Sequence, residues 1–261
     1  MFNFNIIKKK DKKDSASKLS LINDKSSFGY SEAYKSLRTN FIYTTEAAEL
    51  ECKTIMITSA IPDEGKSTVA SNLSASLAQS GKKVVLVDCD LRKGKISRFI
   101  RMSKQEIDLT YLLSTQKNLD DELISEATKK WPELDIDVLP SGYAAENPSE
   151  LIGSYRMGDI LRRLEKYYDY VICDSAPITA VTDSIALARY VDAAILVVSQ
   201  DLVTKNAVVS AKEQLEGVDV PILGVIFNQY DAQKSASKDD NQYSYYNSYG
   251  YEYSKNNSKK K

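Results

Sequence analysis

Thr54-Ile55-Met56-Ile57-Thr58-Ser59-Ala60-Ile61-Pro62-Asp63-Glu64-Gly65-Lys66-Ser67-Thr68 runs from a β-branched apolar stretch, through a turn, into a helical pattern. Ala60–Ser67 matches G-x-x-x-x-G-K-[ST], except that Ala60 stands in the first glycine position. A loop of this kind wraps phosphates with backbone N–H groups and the N-terminus of the next helix, so the chain must turn tightly at Gly65. Lys66 then supplies a point charge to the β and γ oxygens, and the Ser67 hydroxyl can coordinate Mg²⁺. Pro62, Asp63, Glu64, Gly65 and Thr68 complete the nucleotide-contacting loop. A mere helix-starting turn is the bland alternative, and the flanking strand and helix weigh against it.

Outward from that loop, strand-like and helix-like segments alternate. The helix over Ser67–Gln79 stops at Gly81, and Lys83–Val87 is a second apolar strand. Residues 96–133 read as small helices and loops, followed by a strand over Ile136–Leu139. Asn147-Pro148-Ser149-Glu150 starts a helix to about Lys166, with Asn147 as cap and Glu150 at the capping-box position. Strand Tyr170–Cys173, helix Asp183–Tyr190, strand Ala193–Val198, helix Lys205–Leu215 and strand Ile222–Phe227 complete the series. Apolar strands between amphipathic helices specify an α/β fold: a doubly wound, mostly parallel sheet covered on both faces, of the P-loop NTPase type. Upstream, residues 31–47 read as a helix capped by Ser31, with Tyr34, Leu37, Phe41 and Thr45 on one face.

Two strands end in acids. Val84-Val85-Leu86-Val87-Asp88-Cys89-Asp90 carries carboxylates two apart, which point the same way if strand geometry continues. Tyr170-Val171-Ile172-Cys173-Asp174 ends in one. A lone aspartate at a strand end is usually a turn or cap residue. Three that emerge at the carboxyl edge beside a phosphate loop are better read as metal and substrate ligands.

Composition closes off other chemistry. The 261 residues contain no histidine, which removes Ser-His-Asp triads, Cys-His pairs and His-ligated zinc together. Cys52, Cys89 and Cys173 are scattered and read as reduced packing residues. Net charge is -1, so there is no global bias toward nucleic acid or an anionic membrane. The N-terminus lacks signal-peptide order, and no apolar run approaches the ~20 residues of a membrane span, so a cytoplasmic location is expected. Residues 1–27 read as a flexible arm, basic at Lys8, Lys9, Lys10, Lys12 and Lys13. The sharper alternative is contact with acidic lipid or an acidic partner.

The fold is expected to span residues 28–230. From 231 the chain turns to Ser, Lys, Asp, Asn and Tyr, which cannot bury enough apolar surface to order itself. Tyr243, Tyr245, Tyr246, Tyr249, Tyr251 and Tyr253 fall within eleven residues of that tail. An inert aromatic tail or a nucleic-acid stacking segment would also be tyrosine-rich. Basic residues lie mostly at the far end, so no nucleic-acid partner is expected.

Lys66-Ser67-Thr68, Asp88-Cys89-Asp90-Leu91-Arg92, Asn147-Pro148-Ser149-Glu150-Leu151, Tyr168–Asp174 and the tyrosine tail follow the order seen in bacterial tyrosine kinases. The chain resembles the separate cytoplasmic kinases of Gram-positive capsule and exopolysaccharide operons, from about residue 28 onward. The resemblance implies an ATP-dependent autokinase with Lys66 on the phosphates, Ser67, Asp90 and Asp174 around Mg²⁺, and Asp88 facing the acceptor hydroxyl. It implies the six tail tyrosines as phosphoacceptors and, more weakly, Asn228 as an adenine-reading residue. It also implies a ring-shaped homo-oligomer through Glu32, Lys35 and Arg38, although a solvated helix face explains that trio equally well. Implied partners are a transmembrane polysaccharide co-polymerase adaptor, which holds the kinase at the inner face of the membrane, and a phosphotyrosine phosphatase. Two departures stand out: Asp174-Ser175-Ala176-Pro177 replaces Asp-Thr-Pro-Pro, and Gly94 replaces the usual proline. The rival class is the MinD/ParA-like regulatory ATPase switch, whose loop carries an additional lysine where this chain has Ile61, which cannot donate to a phosphate.

Overall fold

The computed structural model describes residues 2–4, 19–23, 25–47, 53–99 and 107–230. In chain order the elements are β1 (Phe2–Phe4), α1 (Phe28–Ala47), β2 (Thr54–Ser59), α2 (Lys66–Ala78), β3 (Val84–Asp88), α3 (Lys95–Phe99), α4 (Leu109–Ser114), α5 (Asp121–Ala127), β4 (Lys129–Trp131) and β5 (Ile136–Leu139). They continue with α6 (Pro148–Ile152), α7 (Tyr155–Leu164), β6 (Tyr170–Asp174), α8 (Asp183–Ala188), β7 (Ala193–Ser199), α9 (Lys205–Glu216) and β8 (Ile222–Asn228). The strands form one sheet in the order β1-β8-β7-β2-β6-β3-β5-β4, with only the β4–β5 pair antiparallel. This is the doubly wound sheet anticipated from the alternating pattern.

Period-two geometry sends successive residues of each strand to opposite faces, and both faces are apolar. Ile55, Ile57, Leu86, Ile172, Ile195 and Val197 join α1 and α2 in one core. Met56, Val85, Val87, Val171, Cys173 and Leu196 join α4 and the helices from α6 to α9 in the other. Cys89 and Cys173 are buried and unbridged, in keeping with packing residues, while Cys52 lies outside the described residues.

Several boundaries differ from the sequence reading. Helix α1 begins at Phe28 rather than at Ser31, because the Ser27 hydroxyl already accepts from the Tyr30 amide at 3.3 Å and Tyr30 joins the buried face. The helix predicted to run to Lys166 is broken into α6 and α7 at Gly153-Ser154. Asn147 makes no backbone cap; its amide donates to the Glu150 carboxylate at 2.8 Å instead. Strand β4, read as loop, is held as an antiparallel edge by pairing with β5, with Trp131 buried in the core.

The expected arm is partly docked. Leu19, Leu21 and Ile22 pack on the α1–α2 core. The Asn72 side chain accepts from the Ile22 amide at 2.9 Å and donates to the Ser20 carbonyl at 2.8 Å. The Tyr30 hydroxyl also donates to Ser20, at 2.7 Å. β1 pairs in parallel with β8, at the edge of the sheet. The basic run Lys8–Lys13 lies outside the described residues, as does everything from 231 onward, including all six tail tyrosines.

Candidate active site

Parallel pairing aligns the strand ends, and the site lies along that carboxyl edge. Between β2 and α2 the loop turns through Asp63 (φ 66°) and Gly65 (φ 89°), both left-handed. Gly65 has no substitute: a Cβ there would lie 2.1 Å from the Asn228 amide nitrogen. Gly65 stands at the N-cap of α2 and offers no side-chain cap, which leaves the helix N-terminus suited to an anion.

Glu64 braces the loop from beneath. It is fully buried, and its carboxylate accepts from the amides of Ile61 at 2.8 Å and Ser199 at 3.0 Å. Burial pushes its pKa up, partly offset by those backbone donors. Asn228 donates to the Glu64 carbonyl at 2.8 Å. The Ser199 backbone amide at the end of β7 and the Asn228 side chain at the end of β8 thus clamp the loop's shape. The adenine role assigned to Asn228 has no counterpart in this contact, which is to the loop backbone. Pro62 and Asp63 are exposed, while Thr68 sits half-buried in the first turn of α2.

Lys66, Ser67, Asp88, Asp90 and Asp174 are all buried at this edge. The Lys66 ammonium lies 3.7 Å from the Asp90 carboxylate. Asp90 reaches this position from a turn, not from a continued strand as the two-apart spacing suggested. β3 ends at Asp88, and the Asp90 carboxylate accepts from the amides of Arg92 at 3.3 Å and Lys93 at 3.0 Å. Adjacent strands place Asp88 opposite Asp174.

These two acids have different surroundings. One oxygen of Asp88 accepts from the Ser97 amide at 3.2 Å, the Ser97 hydroxyl at 3.1 Å and the Ser141 hydroxyl at 3.1 Å. Its other oxygen is buried without a partner, as are both oxygens of Asp174. Burial raises Asp88 to about 7, reinforced by Asp174 and Asp90 and opposed by the serine donors. Burial also raises Asp174, to about 6, with the Lys66 charge and the nearby Ser67 hydroxyl pulling it down.

Buried carboxylate oxygens without donors are costly unless a ligand completes them. Among the described residues no three acids converge into a metal cage by themselves. Mg²⁺ needs none, since it binds through one or two carboxylates, phosphate oxygens and water. Ser67, Asp90 and Asp174 are the oxygen donor types that suit it.

A second network fixes the segment after Asp90. The Arg92 guanidinium grips buried Asp183 at 2.7 and 3.0 Å and reaches the Ser149 hydroxyl at 3.3 Å; Ser149 also donates to Asp183. The Asn147–Glu150 motif is thereby tied to the second acidic motif and to α8. Ser97, Ser141, Asp183 and Lys95 escaped the sequence reading because they stand in loops and short helices without any motif spacing. Only the two motif neighbours, Arg92 and Ser149, carried a signal.

In α1, the proposed oligomer trio divides. Lys35 pairs with Glu32 at 2.8 Å on the surface, whereas Arg38 turns inward and donates to the Ser76 carbonyl of α2 at 2.9 Å.

A family model described as an AAA domain matches residues 52–211. The chain is 36% identical to the tyrosine-protein kinase YwqD of Bacillus subtilis (strain 168), over 83% of this chain and 86% of that protein. It is 35% identical to the tyrosine-protein kinase CpsD of Streptococcus pneumoniae, over 77% and 84%. The chain belongs to the bacterial tyrosine-protein kinases. Among solved members of this kinase family, the kinase domain of Escherichia coli tyrosine kinase ETK superimposes with a TM-score of 0.74 at 30% identity, covering 87% of this chain and 89% of that one. The chimerical protein CapA2B2 gives 0.73 at 29% identity, covering 87% and 93%. No helix among the described residues of this kinase-family chain is long and apolar enough to cross a membrane.

Proposed function

We propose that this chain is an ATP-dependent protein-tyrosine autokinase whose acceptors are Tyr243, Tyr245, Tyr246, Tyr249, Tyr251 and Tyr253. The observation that carries the reading is the pair Asp88–Asp174: two buried carboxylates in register beside a phosphate-loop lysine, in a chain of the kinase family.

Each residue then has a task. The α2 amides and Lys66 hold the phosphates, with Pro62, Asp63, Glu64, Gly65 and Thr68 shaping the loop around them. Ser67, Asp90 and Asp174 would hold Mg²⁺, which would supply charge neutralisation at the phosphates. Asp88, pinned by Ser97 and Ser141 through one oxygen, presents its other oxygen to the tyrosine hydroxyl. Burial holds Asp88 above the ordinary carboxylate range but still below a free tyrosine near ~10, so ground-state proton removal stays uphill. Proton transfer therefore comes late, and Asp88 contributes mainly by orienting the nucleophile. In the balanced step, the tyrosine oxygen bonds to the γ-phosphorus, the bond to the β–γ bridging oxygen breaks, and the phenolic proton passes to Asp88. Tyr243 lies fifteen positions beyond Asn228, a reach of up to roughly 50 Å when extended, so transfer within a chain or between chains is sterically open. Asn228 keeps its proposed place near the base, beyond its contact with the loop.

Each phosphate adds about -1.5 to -2 charge, so a fully modified tail repels its neighbours. This suits a ring assembled through Glu32, Lys35 and Arg38 that tail phosphorylation loosens. The polysaccharide context comes from the capsule-related kinase relatives. It extends the reading to control of capsular or exopolysaccharide synthesis and export, with a transmembrane adaptor as activator at the inner membrane face and a phosphotyrosine phosphatase as the reverse enzyme.

The test is incubation with γ-labelled ATP and Mg²⁺, with an adaptor fragment present. Lys66→Met and Asp88→Asn are expected to lose the phosphotyrosine signal. Removal of 243–253 is expected to lose label while ATP binding persists. Wild-type labelling in both point variants overturns the assignment, and ATP hydrolysis without phosphotyrosine favours the regulatory ATPase switch instead.

A further inference from the structure

The mouth of the phosphate loop carries a cation that no motif announces. Lys95, the first residue of α3, places its ammonium 2.9 Å from the carboxylate of Asp63, on the loop itself. Asp63 is exposed, so an ion pair there is worth little to folding. Lys95 nevertheless stays at the site, because the chain leading to it is tightly built. Asp90 accepts from the Arg92 and Lys93 amides, and Gly94 donates to the Asp90 carbonyl at 2.7 Å. Gly94 is pressed onto the Ser141 hydroxyl: a Cβ there would meet that oxygen at 2.0 Å and the Asp88 carboxylate at 3.2 Å. Glycine in place of proline thus lets the turn close down on the Asp88 cradle. One residue on, that turn delivers Lys95 to the loop. Its charge also reaches the centre of the site, helping to draw down the carboxyl of Asp174.

We infer that Lys95 is a second phosphate-binding lysine, which exchanges Asp63 for the terminal phosphate of a bound nucleoside triphosphate. It delivers from within the chain the charge that a loop with Ile61 at its second position cannot supply. This inference rests on the nucleotide-site reading but not on tyrosine as acceptor. A terminal phosphate carries more charge than one carboxylate and sits beside a desolvated helix end, so the exchange favours the triphosphate. A contact to the terminal phosphate must distinguish triphosphate from diphosphate, which gives the test.

Binding of a fluorescent non-hydrolysable ATP analogue and of fluorescent ADP, each with Mg²⁺, is measured on the full chain by titration. Lys95→Met is expected to weaken the triphosphate analogue about tenfold while ADP changes less than about twofold. Lys95→Arg, which keeps the charge, is expected to restore most of the difference. Asp63→Asn, which frees the lysine, is expected to tighten the analogue relative to ADP. Equal losses for both nucleotides in Lys95→Met, or no loss for either, overturn the inference. ADP binding retained by that variant leaves the phosphate-loop reading standing whichever way the analogue behaves. Loss of all nucleotide binding by the unmodified chain instead rejects the site itself.

Discussion

The ends of β3 and β6 lie side by side, each closing in an aspartate, and they are finished in opposite ways. Asp88 is held by three donors from Ser97 and Ser141, while Asp174 has none for either oxygen. A carboxylate already satisfied on one side is oriented and keeps a single direction of approach. A bare one beside Lys66 and Ser67 is arranged for something that arrives later. The same residue type on neighbouring strands therefore serves positioning in one case and ligand capture in the other, and the difference lies wholly in what the loops bring.

Three experiments can break or sharpen that contrast. The largest effect is expected from Asp174→Asn, which should cut label transfer by about a hundredfold or more and raise the Mg²⁺ concentration needed for half-maximal transfer. If Asp174 variants lose transfer without any change in Mg²⁺ dependence, the capture role is wrong.

Next comes stability against pH in the ligand-free protein. Both folded-state values, about 7 for Asp88 and about 6 for Asp174, lie above the ordinary 3.8. The folded chain thus binds more protons than the unfolded chain between these limits, and stability falls as pH rises through them. Asp88→Asn removes one source of that loss and should raise the melting temperature at pH 8 by about 3 °C or more, while transfer collapses. A variant no more stable than the parent at pH 8, or a parent whose stability is flat from pH 4 to 8, contradicts the buried-acid picture.

The smallest effect is assigned to the cradle. Ser141→Ala and Ser97→Ala should each lower kcat by about tenfold, with little change in KM for ATP. Loss of ATP affinity in these variants would show that the serines support the phosphate loop rather than the acceptor side.

Much of this molecule was legible from residue order. The β-branched run into Gly65-Lys66-Ser67, the apolar strands ending at Asp88 and Asp174, and the face Tyr34–Leu37–Phe41–Thr45 all carry local signals: period, turn chemistry and motif spacing. The boundaries that moved did so for tertiary reasons. β4 is a strand because β5 offers it an edge, and residues 19–22 are docked because Asn72 and Tyr30, far along the chain, meet their backbone.

By itself, then, the sequence determined the sheet, its winding and the aspartates at its carboxyl edge, since these follow from short-range patterns that any parallel α/β chain must display. Only tertiary structure decided which acid is cradled and which is bare, that Asp90 returns to Lys66 through a turn, and that Lys95 stands at the loop mouth. Such outcomes depend on loops separated by tens of residues closing onto one another, and the residues that make them, Ser97, Ser141 and Gly94, have no periodicity to reveal them.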